Sequence, residues 1–430
     1  MDDWLTRPAL ITPSGTVTYA QLDAGARRTA RQLAALGVRE GERVATTLPP
    51  SVAFAELVHA LPLLGASLVP LNTRLTGEER RWQLEDSGAR LCVEEPLDGE
   101  QADVELRTAV DPDAERSVIY TSGTTGRPTA VSLTHRNQTA SALASAWNLG
   151  VHPDDRWLCV LPVFHVGGLA ILLRSALYRT AAVIHESFDV DRVKTAFENG
   201  EVTLASLVPT MLRRLVDAGL EEAPALRALL LGGGPVPRDL LEWSAERGLP
   251  VLQTYGMTQT SSQIATLTAA EAVTRSGSAG RPLVGVELSI SGEGEILVRG
   301  PMVSPGALDP GDGWLHTGDR GRLDDDGYLW VEGRLKDVIV TGGENVACAE
   351  VERVLEDHPA VVEAAVVGLP DPEWGEAVTA FVVLSDGDGG DLIAHCREHL
   401  AGYKVPRALH TVDALPRNAA GKLLRRELVR

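Results

Sequence analysis

"YAQLDAGARRTARQLAALGVREGERVATTL", residues 19–48, changes its hydrophobic period partway along. Apolar residues recur at helical spacing as far as Gly37, and "ERVATTL", residues 42–48, then reads as a strand. A helix that hands over to a short strand is the unit from which α/β layers are built. The unit returns downstream in "VAFAELVHALPLLGASLVPL" (52–71), in "RWLCVLPVF" (156–164), and in "AAVIHE" (181–186) followed by the helix-like "DVDRVKTAFENG" (189–200). "VTLASLVP" (202–209) and "LRALLLGGGP" (226–235) add two short apolar strands that end in turns.

Between residues 276 and 333 the texture changes to short Gly-rich strands, "GVELSI", "GEILVRG" and "GYLWVEG", as in a small β subdomain or barrel. "GRLKDVIVTGGENV" (333–346) separates that region from "AEVERVLEDHPAVVEAAVVGL" (349–369), a helix followed by a strand in a second domain. The boundary is expected near Lys336, giving domains 1–335 and 336–430. "SDGDGGD" (385–391) reads as a flexible surface loop, and no internal repeats are present.

A chain of 430 residues accommodates two to three domains and a sizeable core, and its 44% apolar content suits a globular protein. The net charge of −19 argues against nucleic acid or an anionic membrane as a general partner, since both need clustered Lys and Arg. Cys92, Cys159, Cys348 and Cys396 are widely spaced and form no C-x-x-C pair, so neither a zinc site nor a disulfide framework is expected. With an acidic N-terminus and no run long enough to span a bilayer, the chain reads as soluble and cytoplasmic. Its oligomeric state is left open, a homo-oligomer included.

Of 40 basic residues only four are lysines: Lys194, Lys336, Lys404 and Lys422. Where arginine serves almost everywhere, a retained lysine can mark a need for a compact ammonium on a flexible stem. That bears on "YTSGTTGRPTA", residues 120–130, a Gly/Thr-rich loop suited to holding phosphate through backbone amides and hydroxyls. It matches neither the Walker pattern nor the dinucleotide fingerprint, and Thr129 brings no charge.

Three further stretches carry polar groups. In "QTYGMTQT" (253–260) Tyr255 can lie flat on a base while Thr258 offers a hydroxyl, although the stretch is equally a strand end. In "GWLHTGDRGRL" (313–323) Asp319, read as a turn residue, can accept bonds from vicinal hydroxyls, as on ribose; turn aspartates more often cap their own backbone. "PRNAAGKLLRREL" (416–428) puts Lys422 after a glycine at the start of a short basic helix, or simply in a solvated tail.

In order and spacing these four stretches resemble the adenylate-forming superfamily of acyl- and aryl-CoA ligases, luciferase and peptide-synthetase adenylation domains, over nearly the whole chain. "SAWNLGVHPDDRWLCVLPVFHVGGLAILLRSALY", "AVIHESFD", "LLGGGPVP" and "QTYGMTQTSSQIATL" are most similar to the o-succinylbenzoate:CoA ligase family of menaquinone biosynthesis. The resemblance implies an α/β fold: a large N-terminal domain of layered α/β sheets with a small β subdomain, and a smaller mobile α+β C-terminal cap. It also implies ATP, Mg²⁺ and coenzyme A as cosubstrates and a small-molecule carboxylic acid as partner.

By the same resemblance, Thr121, Ser122, Gly123, Thr124, Thr125 and Gly126 would hold the phosphates and Lys422 would meet the α-phosphate. Gly233 and Gly234 would flank the adenine, Tyr255 would stack on it with Gly256 and Met257 beside it, and Asp319 with Arg334 would hold the ribose. Thr258 would touch both the α-phosphate and the substrate carboxylate. His165 and Gly168 would border the acyl pocket, His165 helping to gate it. Lys336 would be the hinge, and Gly342, Gly343, Glu344 and Asn345 would approach the thioester-forming site.

Departures from the family pattern are equally specific. Thr129 beside Ala130 replaces the loop lysine, leaving the outer phosphates to Arg127 or Arg136. Gln259 replaces a glutamate and, with Thr121, would be a weak magnesium ligand. Ala347 and Cys348 stand where an aromatic–proline pair is common. For o-succinylbenzoate, the carboxylate that does not react needs a cation, for which Arg174 is the first candidate, with a salt bridge on its own helix as the plain alternative. Ser262 and Gln263 are candidates for the ketone. A ligase for another acid and an adenylate-binding protein without turnover both remain open.

Overall fold

The computed structural model describes residues 3–121, 128–234, 236–341, 344–371, 374–385, 391–417 and 423–429. Among these the quoted opening stretch is the helix Tyr19–Ala35 followed by the strand Arg43–Thr46. The helix starts where it does because Thr18 and Gln21 form a reciprocal cap. The Thr18 hydroxyl accepts from the Gln21 amide at 3.3 Å, and the Gln21 side chain accepts from the Thr18 amide at 2.8 Å. Its apolar stripe, Leu22, Ala26, Ala30 and Leu33, is buried.

Two sheets carry the N-terminal part of the chain. The first has the order Leu91–Val93, Arg43–Thr46, Ser67–Pro70, Glu115–Thr121, Thr129–Thr134. Its first four strands are parallel and the last is antiparallel to its neighbour. The second is nine-stranded, in the order Arg281–Pro282, Ser262–Thr266, Val251–Met257, Ala228–Leu231, Leu204–Leu207, Arg156–Cys159, Ala181–Ile184, Pro8–Thr12, Gly15–Thr18. Its parallel centre is nearly all apolar, as expected of strands covered on both faces. Parallel neighbours require crossovers, and helices such as Val190–Glu198 and Pro209–Asp217 supply them.

A four-stranded sheet, Glu287–Ile290, Glu295–Arg299, Leu315–Leu323 and Leu329–Arg334, is the expected β region. The last sheet runs Glu344–Ala347, Val338–Thr341, Gly375–Leu384, Val361–Asp371, with Ala408–Thr411 beside Gly375–Leu384. The helices Cys348–Glu356 and Leu392–His399 bury Val351, Leu355 and Cys396 in that sheet's core. The chain divides into two compact units, residues 1–236, 240–288 and 298–315 in one and 237–239, 289–297 and 316–430 in the other.

Three sequence expectations change in detail. "RWLCVLPVF" is a strand only as far as Cys159, because the chain then turns and the His165 amide bonds the Pro162 carbonyl at 3.1 Å. Asp319 lies within the strand Leu315–Leu323, not in a turn, and pairs across to Arg334. The segment before Cys348, expected to separate the β region from the second domain, contains the strand Glu344–Ala347, antiparallel to Val338–Thr341.

The N-terminal unit also carries a pH liability. Burial, reinforced by the Arg116 guanidinium, pushes His59 and His135 down to about 4. The unfolded chain therefore takes up protons near pH 6.5 that the folded chain refuses until about pH 4. Stability is full above pH 6.5 and falls as pH drops through that window. Between pH 7 and 5 the loss should be about 2 kcal/mol from buried His135 and less from half-buried His59. Urea unfolding of wild type and His135→Gln at both pH values tests this: equal pH slopes for the two proteins would remove His135 as a source.

Candidate active site

The strand Val251–Met257 ends in Tyr255, Gly256 and Met257, and the chain then makes a short 3-10 turn, Thr258–Thr260, before returning as Ser262–Thr266. That corner is tight. A Cβ on Gly256 would lie 1.9 Å from the Ser262 carbonyl oxygen, so only glycine lets the two strands pass. Ser261 and Ser262 both take positive φ, 54° and 103°, conformations that each cost about 1–3 kcal/mol for a residue with a side chain.

Neighbouring hydrogen bonds hold the strained corner. The buried Thr260 hydroxyl accepts from the Met257 amide at 3.0 Å and lies 2.8 Å from the Ser262 carbonyl. Ser261 donates to the Met302 carbonyl at 3.0 Å, Ser141 donates to the Ser261 carbonyl at 2.8 Å, and the Ser304 amide donates to the Gln259 carbonyl at 2.7 Å. Thr258 and Gln259 are thus presented on a fixed backbone. Neither the Ser261–Ser262 geometry nor the Thr260 clamp was foreseeable, because no local pattern announces a serine with positive φ.

The helix Val166–Tyr178 forms a second wall. His165 is its N-cap residue, with its ring 4.6 Å from that of Phe164. Burial, aided by Arg74, lowers the His165 pKa and favours the neutral imidazole. Gly168 belongs where it is for steric reasons, since a Cβ there would lie 2.3 Å from the Pro162 carbonyl oxygen. Two turns along, Arg174 is 3% exposed, its guanidinium 3.3 Å from the Ser141 hydroxyl and 5.6 Å from the centre of the Trp157 ring. Burial lowers its pKa, its Nε has no hydrogen-bond partner, and among the described residues no carboxylate pairs with it. The plain alternative, a salt bridge along its own helix, is not what this geometry contains. A space of about 10 Å³ beside it, bordered by Gln138 and Ser261, is room for one water.

Gln263 is buried, and its amide nitrogen is committed to the hydroxyls of Thr254 and Thr266 at 3.3 and 3.0 Å. Thr121 closes the strand Glu115–Thr121 and donates weakly to the Thr129 carbonyl at 3.3 Å. Arg136 is engaged by Asp113 at 2.6 and 2.9 Å. Gly233 and Gly234 follow the strand Ala228–Leu231.

In the second unit, Asp319 is buried and its carboxylate pairs with Arg334 at 2.8 Å, while Arg334 also reaches the Thr317 carbonyl. Lys336 falls in the 3-10 turn Leu335–Asp337, and Glu344 and Asn345 open the strand Glu344–Ala347. Ser122, Gly123, Thr124, Thr125, Gly126, Arg127, Gly342, Gly343 and Lys422 lie outside the described residues.

The residues expected from the sequence to face magnesium, Thr121 and Gln259, would offer it a hydroxyl and an amide oxygen. Among the described residues no cluster of three His, Cys, Asp or Glu side chains stands ready for a metal. Neutral hard oxygens fit a cation that arrives on nucleotide phosphates and keeps its waters.

Residues 2–116 and 94–308 match the AMP-binding enzyme model, and residues 350–422 match that of its C-terminal domain. The chain belongs to the AMP-binding enzyme family. Among its relatives in that family is the 2-succinylbenzoate–CoA ligase of Geobacillus kaustophilus, 44% identical over 100% of this chain and 98% of that protein. A solved structure of o-succinylbenzoate CoA synthetase from Bacillus subtilis, in complex with the acyl-adenylate intermediate, aligns with TM-score 0.92 and 40% identity over 100% of this chain and 98% of that one. The Bacillus subtilis enzyme in complex with ATP and magnesium ion aligns with TM-score 0.90 and 40% identity over 99% of each chain. In this AMP-binding enzyme, among the described residues, no helix is long and apolar enough to cross a membrane.

Proposed function

We propose that the chain joins o-succinylbenzoate to coenzyme A in two half-reactions on one carboxyl group. In the first, a carboxylate oxygen attacks the α-phosphorus of ATP, the bond to the β-phosphate oxygen breaks, and pyrophosphate leaves. In the second, the coenzyme A sulfur attacks the acyl carbon, AMP departs, and the thiol proton passes to solvent. The observation that carries the substrate assignment is end-to-end likeness, 44% identity over the full chain, to a 2-succinylbenzoate–CoA ligase.

Residue roles follow from the chemistry. Carboxylate and triphosphate repel, so adenylation depends on positioning and on positive charge at the α-phosphate, which we assign to Lys422. Thr258 donates to the reacting carboxylate, and Tyr255 lies on the adenine beside Gly233, Gly234, Gly256 and Met257. Asp319 accepts the ribose hydroxyls, oriented by Arg334. Magnesium, when bound, neutralises charge on the outer phosphates, with Thr121 and Gln259 as its nearest protein oxygens, and residues 121–126 cradle the phosphates. His165 and Gly168 border the acyl pocket, Arg174 takes the carboxylate that does not react, Ser262 donates to the ketone, and Gln263 lines the same wall.

We set the domain boundary at Lys336, with an adenylation domain over 1–335 and a cap over 336–430 that turns about Leu335–Asp337 between half-reactions. The strand Glu344–Ala347 and the glycines before it then serve thioester formation. The enzyme works in the cytoplasm, where ATP and coenzyme A are supplied, and takes neither nucleic acid nor membrane as partner; sedimentation would decide whether it forms a homo-oligomer.

The test is coenzyme A thioester formation from o-succinylbenzoate, with benzoate and octanoate beside it, read by mass spectrometry. Product from o-succinylbenzoate in preference to the other two is expected. Preference for another acid would move the substrate, and nucleotide binding with no pyrophosphate release from any acid would reduce the chain to an adenylate-binding protein.

A further inference from the structure

The C-terminal turn that follows Lys422 contains an arginine with an unusual set of partners. Arg425 donates through Nη1 to Asp337 at 2.8 Å and through Nη2 to both carboxylate oxygens of Glu352 at 2.7 Å. Each partner belongs to a different functional segment. Asp337 closes the turn Leu335–Asp337, next to Lys336. Glu352 lies on the helix Cys348–Glu356, directly after the strand Glu344–Ala347. Glu352 is 8% exposed and also accepts from the Val366 amide at 2.7 Å, which fixes it to the strand Val361–Asp371.

The other end of the lysine-bearing segment is anchored too. Arg417 pairs with Glu363 at 2.8 Å on the strand Val361–Asp371, Arg417 and Leu423 form an antiparallel bridge, and the Leu424 amide donates to the Pro416 carbonyl at 2.8 Å. Residues 418–422 are thus bracketed by two fixed stems. Of the two anchors, Arg425 is the more enclosed, and it bonds two carboxylates. Glu352 is buried and Arg425 is its charged partner, so removing the guanidinium would leave a buried carboxylate uncompensated.

We propose that Arg425 is a positioning residue for adenylation: bound to Asp337 and Glu352, it locks the segment carrying Lys422 to the hinge turn and to the thioester-side helix, so that all three move as one body. The inference rests on the reading of Lys422 given above. An ammonium on a long flexible stem stabilises developing charge only if its backbone stays in place, and misplacement by about 1 Å costs up to about 100-fold in rate.

The test measures the two half-reactions separately in the full-length protein, adenylation by pyrophosphate release and thioester formation from supplied o-succinylbenzoyl-adenylate. Arg425→Met should lower the adenylation kcat by about 10- to 100-fold, leave KM for ATP within about threefold, and leave thioester formation within about threefold. Asp337→Asn keeps the shape and should reproduce the same split more weakly, with an unchanged thermal melt, which covers the case in which Arg425→Met folds poorly. Equal loss in both half-reactions by Asp337→Asn, or no loss from either variant, overturns the proposal. Lys422→Ala is run alongside: if it keeps full adenylation, the reading of Lys422 fails on its own evidence, independently of what the Arg425 variants do.

Discussion

Lys422→Ala is expected to lower the adenylation rate by about a thousandfold while thioester formation from supplied acyl-adenylate stays within a few-fold of wild type. The magnitude is that of removing one preorganised charge aimed at charge that develops in the transition state, on the order of 10²–10³ in kcat. The selectivity follows from the electrostatics of the two steps. In adenylation an anion must close on a polyanion and negative charge accumulates around the α-phosphorus; in thioester formation sulfur attacks the acyl carbon, no polyanion has to be approached, and the new charge falls on the oxygen of the departing AMP. Scarcity sharpens the expectation, because Thr129 offers no second ammonium in the phosphate loop. Rapid-quench measurement of each half-reaction, with circular dichroism to check the fold, decides it. Parallel loss of both steps would point to a damaged cap in place of a missing charge.

Arg174→Met should separate stability from specificity. The guanidinium is buried, hydrogen-bonded to Ser141 alone among the described residues, and without a carboxylate partner. Such a charge is a burden on the empty protein, so an apolar side chain of similar length should leave the melting temperature unchanged or raise it. The same change removes the cation assigned to the unreacted carboxylate of o-succinylbenzoate. Leaving that carboxylate unpaired in the pocket costs about 2–5 kcal/mol, hence a fall in kcat/KM on the order of a hundredfold or more. An aryl acid lacking the second carboxylate should lose little, so the ratio between the two acids is the informative quantity. Equal loss for both acids would assign Arg174 to packing against Trp157.

What the sequence made legible was whatever local chemistry decides. The Gly37 stop and the runs of apolar strand residues declare themselves within a few positions, and the α/β layers follow from their alternation. Lys422 drew attention in the sequence because lysine is scarce in this chain, and Asp319 because a carboxylate among glycines can accept bonds from vicinal hydroxyls. The candidate site was not readable where long-range packing decides. That Arg174 would lie buried over Trp157, that Gln263 would spend its amide on two threonines, and that Ser261 and Ser262 would turn through positive φ all depend on partners far away in the chain. Asp319 moved from turn to strand for a related reason, because its pairing with Arg334 is made across a hairpin and not within the local sequence.

The close approaches at Gly168, assigned above to the acyl pocket, and at Gly256, assigned to the adenine side, bear on attempts to redesign the enzyme. At both positions backbone oxygen stands where any side chain would begin, 2.3 Å away at Gly168 and 1.9 Å at Gly256. Diversification at either site therefore distorts the framework before it reshapes the pocket, and libraries that include them would be dominated by inactive clones. Arg174 is bounded by the Trp157 ring and the Ser141 hydroxyl, side chains that can give way, whereas Ser262 is held at positive φ. A search for new acyl specificity has its freedom at Arg174, and Gly168 marks how far the wall assigned to the acyl pocket can be redrawn.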